Sequence, residues 1–135
     1  MTARKKTKSL KGTKLLLVED DDFLAEILRT KLSDDGGSLT LCTTGTEALN
    51  LIEQQIPDVI ITDLMLPGMS GEELIGRIKE NAKYSNIPLV VFSNKNDPAE
   101  IKKLLAIGVS EYHVKAQTSL KDIPKIIERA LMGLE

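Results

Sequence analysis

Short apolar runs recur along the chain, and each is followed by a longer stretch whose apolar residues are spaced three or four positions apart. The runs at 15–18, 59–62 and 89–92 are continuously apolar or β-branched. Such runs predict strands buried on both faces, as in the interior of a parallel sheet. The run at 39–43 alternates between apolar and polar residues, and the run at 112–114 is short. These two runs therefore predict edge strands.

The stretches between the runs predict five helices, because their apolar residues recur on one helical face. Glycine or proline ends the pattern at Gly36, Pro57 and Gly108, and Asp97 followed by Pro98 is a typical helix start. Five alternating units predict an α/β fold with a doubly wound, five-stranded parallel sheet. With right-handed crossovers and the edge strands assigned above, the strand order is 2-1-3-4-5. The apolar positions expected on the helices are Leu24, Ile27, Leu28, Leu32, Ala48, Leu49, Ile52, Ile56, Leu74, Ile75, Ile78, Ile101, Leu104, Leu105, Ile123, Ile126, Ile127, Ala130 and Leu131.

Length and charge indicate one globular domain preceded by a basic N-terminal segment. The chain has 135 residues, of which 41% are hydrophobic and 28% charged. Its first 14 residues carry six basic side chains and no acidic one, so the remainder holds 12 basic and 20 acidic residues. We expect a basic, flexible tail at 1–12 and a folded domain at 13–135, whose acidic character argues against nucleic-acid binding. No run of about eighteen apolar residues suggests a membrane span, so we expect a cytoplasmic protein without membrane insertion.

Polar side chains of complementary type follow four of the predicted strands. Glu19 and Asp20 come after the first strand, Asp63 after the third, Ser93 after the fourth and Lys115 after the fifth. The carboxyl ends of parallel strands lie at one edge of the sheet, where open α/β sheets bind their ligands. Packed carboxylates repel one another unless a cation intervenes, and oxygen ligands without His or Cys favour Mg²⁺. The pattern therefore predicts a Mg²⁺ and phosphoryl site around Asp63.

The order and spacing of these residues resemble the receiver domain of two-component response regulators, in its single-domain, chemotaxis-regulator-like form with a flavodoxin-like fold. The resemblance covers nearly the whole chain after the first dozen residues. Five features occur in the family's order. The matching positions are Glu19 and Asp20 for the acidic pair, Asp63 for the phospho-accepting aspartate, Ser93 for the switch hydroxyl, Tyr112 for the switch aromatic residue and Lys115 for the lysine.

The resemblance implies a phosphoacceptor signalling domain of a two-component system or phosphorelay. Asp63 would take a phosphoryl group from the phosphohistidine of a sensor histidine kinase or histidine phosphotransfer protein. The Mg²⁺ ligands would be the carboxylates of Glu19, Asp20 and Asp63 and the backbone carbonyl of Met65. Such a domain catalyses its own aspartyl phosphorylation and dephosphorylation, although it acts mainly as a switch.

The remaining implied roles concern the phosphoryl oxygens and the output. Lys115 would pair with one phosphoryl oxygen and the Ser93 hydroxyl with another, and the Tyr112 ring would follow Ser93 inward. A downstream protein would bind the face formed by helix 4, strand 5 and helix 5. After Asp63, Gly68 and Gly71 would let the backbone approach the bound phosphoryl group.

One departure from the family pattern concerns Lys115, which Ala116 follows where the family usually has proline. A cis peptide bond costs about 0.5–1 kcal/mol before proline but about 2.5–4 kcal/mol before another residue. We therefore expect a trans bond here, with the Lys115 ammonium still reaching the carboxylate of Asp63.

Three other readings of the pattern are open. A pseudo-receiver adaptor would bind partners without phosphorylation, although the complete set of site residues disfavours it. A phosphatase with an aspartate nucleophile would need a second aspartate two residues after Asp63, where this chain has Met65. A flavodoxin-like cofactor binder would need a phosphate-binding loop after the first strand, where residues 19–22 are acidic.

Overall fold

The computed structural model describes residues 10–133, which form five strands and five α-helices in strict alternation. The strands are β1 (Lys14–Val18), β2 (Ser38–Cys42), β3 (Val59–Thr62), β4 (Leu89–Ser93) and β5 (Glu111–Val114). The helices are α1 (Asp22–Asp34), α2 (Gly45–Gln54), α3 (Gly71–Glu80), α4 (Pro98–Ala106) and α5 (Ile123–Leu131), and two short 3₁₀ turns (Lys115–Gln117 and Leu120–Asp122) join β5 to α5.

All five strands are parallel and follow the order β2-β1-β3-β4-β5, so the predicted fold and strand order are confirmed. Every residue of β3 and β4 is buried, and β1 is buried after its first residue. The edge strands β2 and β5 are largely half-buried or exposed. Continuous apolar runs therefore identified the interior strands correctly, because only an interior strand has both faces covered by helices.

Side chains of the interior strands β1, β3 and β4 alternate between two cores on the two faces of the sheet. Leu16, Ile60 and Val91 point into the core covered by α2, α3 and α4. Their neighbours Leu17 and Ile61 point into the core covered by α1 and α5. The three-layer arrangement leaves the carboxyl ends of the strands at one open edge.

The structure corrects the sequence analysis at residues 10, 56 and 105. Leu105, expected on the apolar stripe of the fourth helix, is 44% exposed, because α4 turns Leu104 toward the core and the next position toward solvent. Leu10 is fully buried, and its N–H donates to the carbonyl oxygen of Asp35 at 3.0 Å. The folded part therefore begins at least three residues before the boundary expected at residue 13, and residues 1–9 of the expected tail lie outside the described residues. Ile56, expected on the buried stripe of the second helix, lies beyond the end of α2 and is 49% exposed, because the helix ends at Gln54.

A helix that crosses a bilayer needs about 20 predominantly apolar residues. None of the helices within residues 10–133 is long and apolar enough to do so.

Replacing Leu10 by alanine tests whether this segment belongs to the folded core. Leu10→Ala leaves a cavity in the core beneath α1 and α5, so we expect it to lower the free energy of unfolding by about 2–5 kcal/mol. Urea denaturation measures the change. The control Leu105→Ala removes a leucine that is 44% exposed and should cost much less. Equal, small effects of both substitutions would show that residue 10 is peripheral.

Candidate functional site

Asp63 follows the last residue of β3 and is held by its neighbours in one orientation. Its side chain is buried, and its N–H donates to the Val18 carbonyl oxygen at 3.1 Å. Its Oδ1 accepts hydrogen bonds from the N–H groups of Leu64 at 2.6 Å and Met65 at 3.1 Å. Its Oδ2 lies 2.8 Å from the Lys115 ammonium. Each carboxylate oxygen therefore has a defined set of donors.

The backbone behind Asp63 is packed tightly against the start of α3. A Cβ added to Gly71 would overlap the carbonyl oxygen of Asp63 and approach the Cα of Leu64, so only glycine fits at the first residue of this helix. The Thr62 hydroxyl donates to the same Asp63 carbonyl oxygen at 2.8 Å. Gly71 thus serves this packing, whereas Gly68 has a positive φ of 74° with open space around it. This packing is a sufficient reason for glycine at position 71, and the access of backbone to a phosphoryl group stays a prediction.

Glu19, Asp20 and Asp63 form the acidic cluster of the site. One carboxylate oxygen of each lies within 4.8 Å of those of the other two. Glu19 and Asp63 are buried, and Asp20 is exposed. The cluster is compact because β1 and β3 are neighbours and both end here. The next residue, Asp21, has a structural role as the N-cap of α1, accepting the N–H groups of the helix's first turn.

Lys115 supplies the positive charge of the site. Its Nζ lies 3.0 Å from Oε1 of Glu19 and 2.8 Å from Oδ2 of Asp63, and its side chain is 14% exposed. Burial works to lower the pKa of this lysine, but its hydrogen bonds to Asp63 and Glu19 outweigh burial and raise the pKa. Lys115 is therefore charged at neutral pH.

The peptide bond between Lys115 and Ala116 is trans, since residues 10–133 contain no cis peptide bond. The backbone N–H of Ala116 donates to Oδ1 of Asn94 at 3.1 Å, and residues 115–117 form a 3₁₀ turn. The expectation of a trans bond with Lys115 still reaching Asp63 is confirmed. The Asn94 side chain helps to hold the turn from which Lys115 extends.

The positive charge of Lys115 does not fully compensate the negative charge and burial of the carboxylates in the cluster. Burial raises the pKa of Glu19 even though the Lys115 ammonium and the Asp21 N–H lower it, and the charge of Asp63 adds to the rise. The Lys115 ammonium contacts Glu19 and Asp63, and the cluster also contains the exposed Asp20. A divalent cation would relieve this imbalance, and the donor set contains only oxygen atoms, which suits Mg²⁺.

Ser93 and Tyr112 belong to β4 and β5, on the side of β3 away from β1. Both are hydrogen-bonded to Lys95 in the loop after β4. Ser93 is fully buried at the end of β4, and its hydroxyl oxygen accepts the Lys95 N–H at 3.3 Å. The half-buried Tyr112 donates its hydroxyl to the Lys95 carbonyl oxygen at 2.6 Å. Burial raises the pKa of this phenol, so it stays a donor at neutral pH.

The structure brings the acidic cluster and Lys115 into direct contact, as the strand ends indicated. The exposed Met65 contributes its N–H to Asp63, and the role expected for its carbonyl group stays a prediction. Sequence reasoning missed the hydrogen bond between Asn94 and the Ala116 N–H and missed Lys95 altogether. An amide directly after a strand end was a signal for Asn94, but nothing in the sequence marks Lys95, because two of its partners, Tyr112 and Glu72, are distant in the chain.

A doubly wound parallel sheet with an acidic cluster and a lysine at its carboxyl edge defines the class of flavodoxin-like receiver domains. The chain belongs to the response regulator receiver domain family, whose model matches residues 15–128. Among curated proteins, it is similar to the phosphate regulon transcriptional regulatory protein PhoB of Rhizobium meliloti (strain 1021), with 32% identity over 102 residues. That match covers 76% of this chain and 45% of PhoB, so the chain spans less than half of that relative's length.

Two solved structures show the same architecture. The non-phosphorylated HemR receiver domain from Leptospira biflexa has a TM-score of 0.80 and 28% identity, covering 88% of this chain and 94% of that chain. The phosphorylated cyanobacterial phytochrome response regulator RcpA has a TM-score of 0.78 and 27% identity, covering 89% of this chain and 94% of that chain. The fold and family expected from the sequence are therefore confirmed.

Titration with Mg²⁺ tests the acidic cluster as a cation site. A ligand that binds only the folded state raises its stability, by about 2.7 kcal/mol when present at 100 times its dissociation constant. We expect Mg²⁺ to raise the thermal midpoint of the wild-type protein and to raise that of Asp20→Asn much less. The control Asp22→Asn removes a nearby exposed acid outside the cluster and should respond like the wild type. An equal rise in all three proteins would indicate unspecific binding.

Proposed function

We propose that the protein is a phosphoacceptor of a two-component system or phosphorelay, and that Asp63 is the residue phosphorylated. The observation that carries the proposal is the Asp63 carboxylate itself. Two backbone N–H groups fix one oxygen, and the Lys115 ammonium contacts the other. A carboxylate held in this way is a positioned nucleophile for forming an aspartyl phosphate. The family membership and the phosphorylated state of the similar RcpA structure support the same reading.

The phosphoryl donor would be a phosphohistidine on a sensor histidine kinase or a histidine phosphotransfer protein. In the transfer, the phosphorus–nitrogen bond of the donor breaks and a bond from phosphorus to an oxygen of Asp63 forms. Phosphoryl transfer depends mainly on positioning and on neutralising charge. Lys115 would shift its ammonium from the Asp63 carboxylate to a phosphoryl oxygen, a short movement because it contacts Asp63 directly.

The residues that would hold Mg²⁺ are Glu19, Asp20 and Asp63 through their carboxylates and Met65 through its backbone carbonyl. The bound ion would supply charge neutralisation of the phosphoryl oxygens next to the acids. Glu19 keeps its carboxylate in the cluster by accepting the Asp21 N–H at 3.1 Å and contacting Lys115. The domain would thus catalyse its own phosphorylation and dephosphorylation.

The response to phosphorylation would pass through Ser93 and Tyr112. The Ser93 hydroxyl, at the end of the strand next to β3, would turn toward a phosphoryl oxygen. The Tyr112 ring, whose hydroxyl donates to the Lys95 carbonyl oxygen in the same loop, would follow into the space that the Ser93 hydroxyl leaves. A downstream protein would then bind the face formed by α4, β5 and α5. The expected cytoplasmic location stays a prediction.

Phosphorylation with a small donor tests the role of Asp63. Acetyl phosphate should add one phosphoryl group to the wild-type protein only when Mg²⁺ is present, and Asp63→Asn should abolish the addition. Mass spectrometry of the intact chain and of its peptides measures both. Asp22→Asn is the matched control and should be phosphorylated normally. Failure of the wild-type protein to accept the group would favour the alternative, a pseudo-receiver adaptor that binds partners without phosphorylation.

Amide hydrogen exchange tests the switch. We expect beryllofluoride with Mg²⁺ to change the protection of residues 93–115, because a phosphoryl mimic draws the Ser93 hydroxyl toward Asp63 and shifts a pre-existing equilibrium. Ser93→Ala should reduce this change. Ser110→Ala, which removes a hydroxyl that accepts the Leu89 N–H at the opposite edge of the sheet, should leave it intact. Unchanged exchange at residues 93–115 in the wild type would contradict the switch.

A further inference from the structure

Lys115 lies just beyond the paired part of β5. The last pair of the β4–β5 ladder joins Ser93 to Val114, so Lys115 is the first residue that the ladder does not hold. It also begins the 3₁₀ turn that follows the strand. Its ammonium nevertheless contacts two buried acids of the cluster at 3.0 and 2.8 Å. A long, rotatable side chain keeps its end in one place only when its backbone is held, so other contacts have to fix this turn.

Two hydrogen bonds fix the turn. The Ala116 N–H donates to Oδ1 of Asn94 at 3.1 Å, one step beyond the last ladder pair and with a side-chain oxygen as the acceptor. The Thr118 hydroxyl donates to the Val114 carbonyl oxygen at 2.7 Å, which closes the turn on itself. Only the first of these bonds ties the turn to another strand end. Lys115 is thus held by the ladder on one side and by the Asn94 side chain on the other.

Alanine at position 116 has two properties that proline lacks. Its N–H is the donor to Asn94, and proline has no N–H. Lys115 opens a 3₁₀ turn, whose backbone is helical, and a following proline disfavours that conformation. The trans turn of this chain therefore depends on a residue other than proline at position 116.

We propose that Asn94 and the Ala116 N–H form a positioning pair for Lys115. Their hydrogen bond holds the turn so that the ammonium stays between the two buried acids. Both residues act through Lys115 and are positioning residues rather than catalytic ones. The proposal concerns the protein before any phosphoryl group is bound, so its test does not depend on the proposed function.

Exchange of the Lys115 ammonium hydrogens with water measures how firmly the turn is held. Asn94 and Ala116 are both exposed, so water can replace their hydrogen bond and the effect is modest. A bond of this kind shifts an equilibrium about 2- to 10-fold. When the turn opens, the ammonium leaves its acids and its hydrogens exchange. We therefore expect exchange to be faster by this factor in Asn94→Ala, measured by proton–nitrogen NMR, with the signal assigned by its loss in Lys115→Arg.

A double-variant cycle isolates the hydrogen bond. Ala116→Pro should also speed the exchange, and adding Asn94→Ala to it should change nothing further, because the donor is already gone. Asn94→Asp keeps an oxygen acceptor and should retain the wild-type rate. The thermal midpoint of each variant checks that the fold is kept, as expected for changes at exposed positions.

Asn96→Ala is the matched control, because it removes another exposed amide from the same loop. It should leave the exchange rate unchanged. A wild-type rate in Asn94→Ala would overturn the proposal even if Ala116→Pro were fast, since proline alone would then account for the change. An equal increase in Asn96→Ala, or a further increase when Asn94→Ala is added to Ala116→Pro, would overturn it as well.

Discussion

The contact between one half-buried ammonium and two buried carboxylates is the interaction on which the site depends. Lys115 lies 3.0 Å from Glu19 and 2.8 Å from Asp63, and each of these acids is almost fully removed from solvent. A buried charge without a partner costs several kcal/mol, so the site is stable only because the ammonium is there. One ammonium does not fully compensate the acids, since the pKa of Glu19 stays raised. The remaining excess of acidic charge favours a cation beside these oxygen atoms.

The sheet makes this contact by placing residues far apart in sequence at one edge. Glu19 follows β1, Asp63 follows β3 and Lys115 follows β5, and each position is fixed by the parallel pairing of its strand. The tight approach of α3 to the Asp63 backbone at Gly71 adds a second constraint. The Asp63 carboxylate is therefore fixed at the end of a buried strand, and the loop after β4 makes separate hydrogen bonds with Ser93 and Tyr112.

The loop after β4 links this rigid edge to the protein surface. Lys95 binds Ser93, Tyr112 and Glu72 through its N–H, carbonyl and ammonium groups respectively. The Tyr112 hydroxyl thus joins this loop to β5 by a hydrogen bond. Lys95 thus joins the end of β4, the edge strand β5 and the start of α3 by three contacts, two of them made by its backbone.

The sequence by itself determined the layer structure and the members of the site. Apolar runs in β1, β3 and β4 showed which strands are interior, and the residue types after the strand ends identified Glu19, Asp63 and Lys115. These features are local, because periodicity and strand ends can be read within a few residues. Tertiary structure alone decided the burial of Leu10, the fit of Gly71 against Asp63 and the pairing of Lys95 with Glu72. Each of these depends on where separate elements come to lie against one another, and no spacing along the chain encodes that distance.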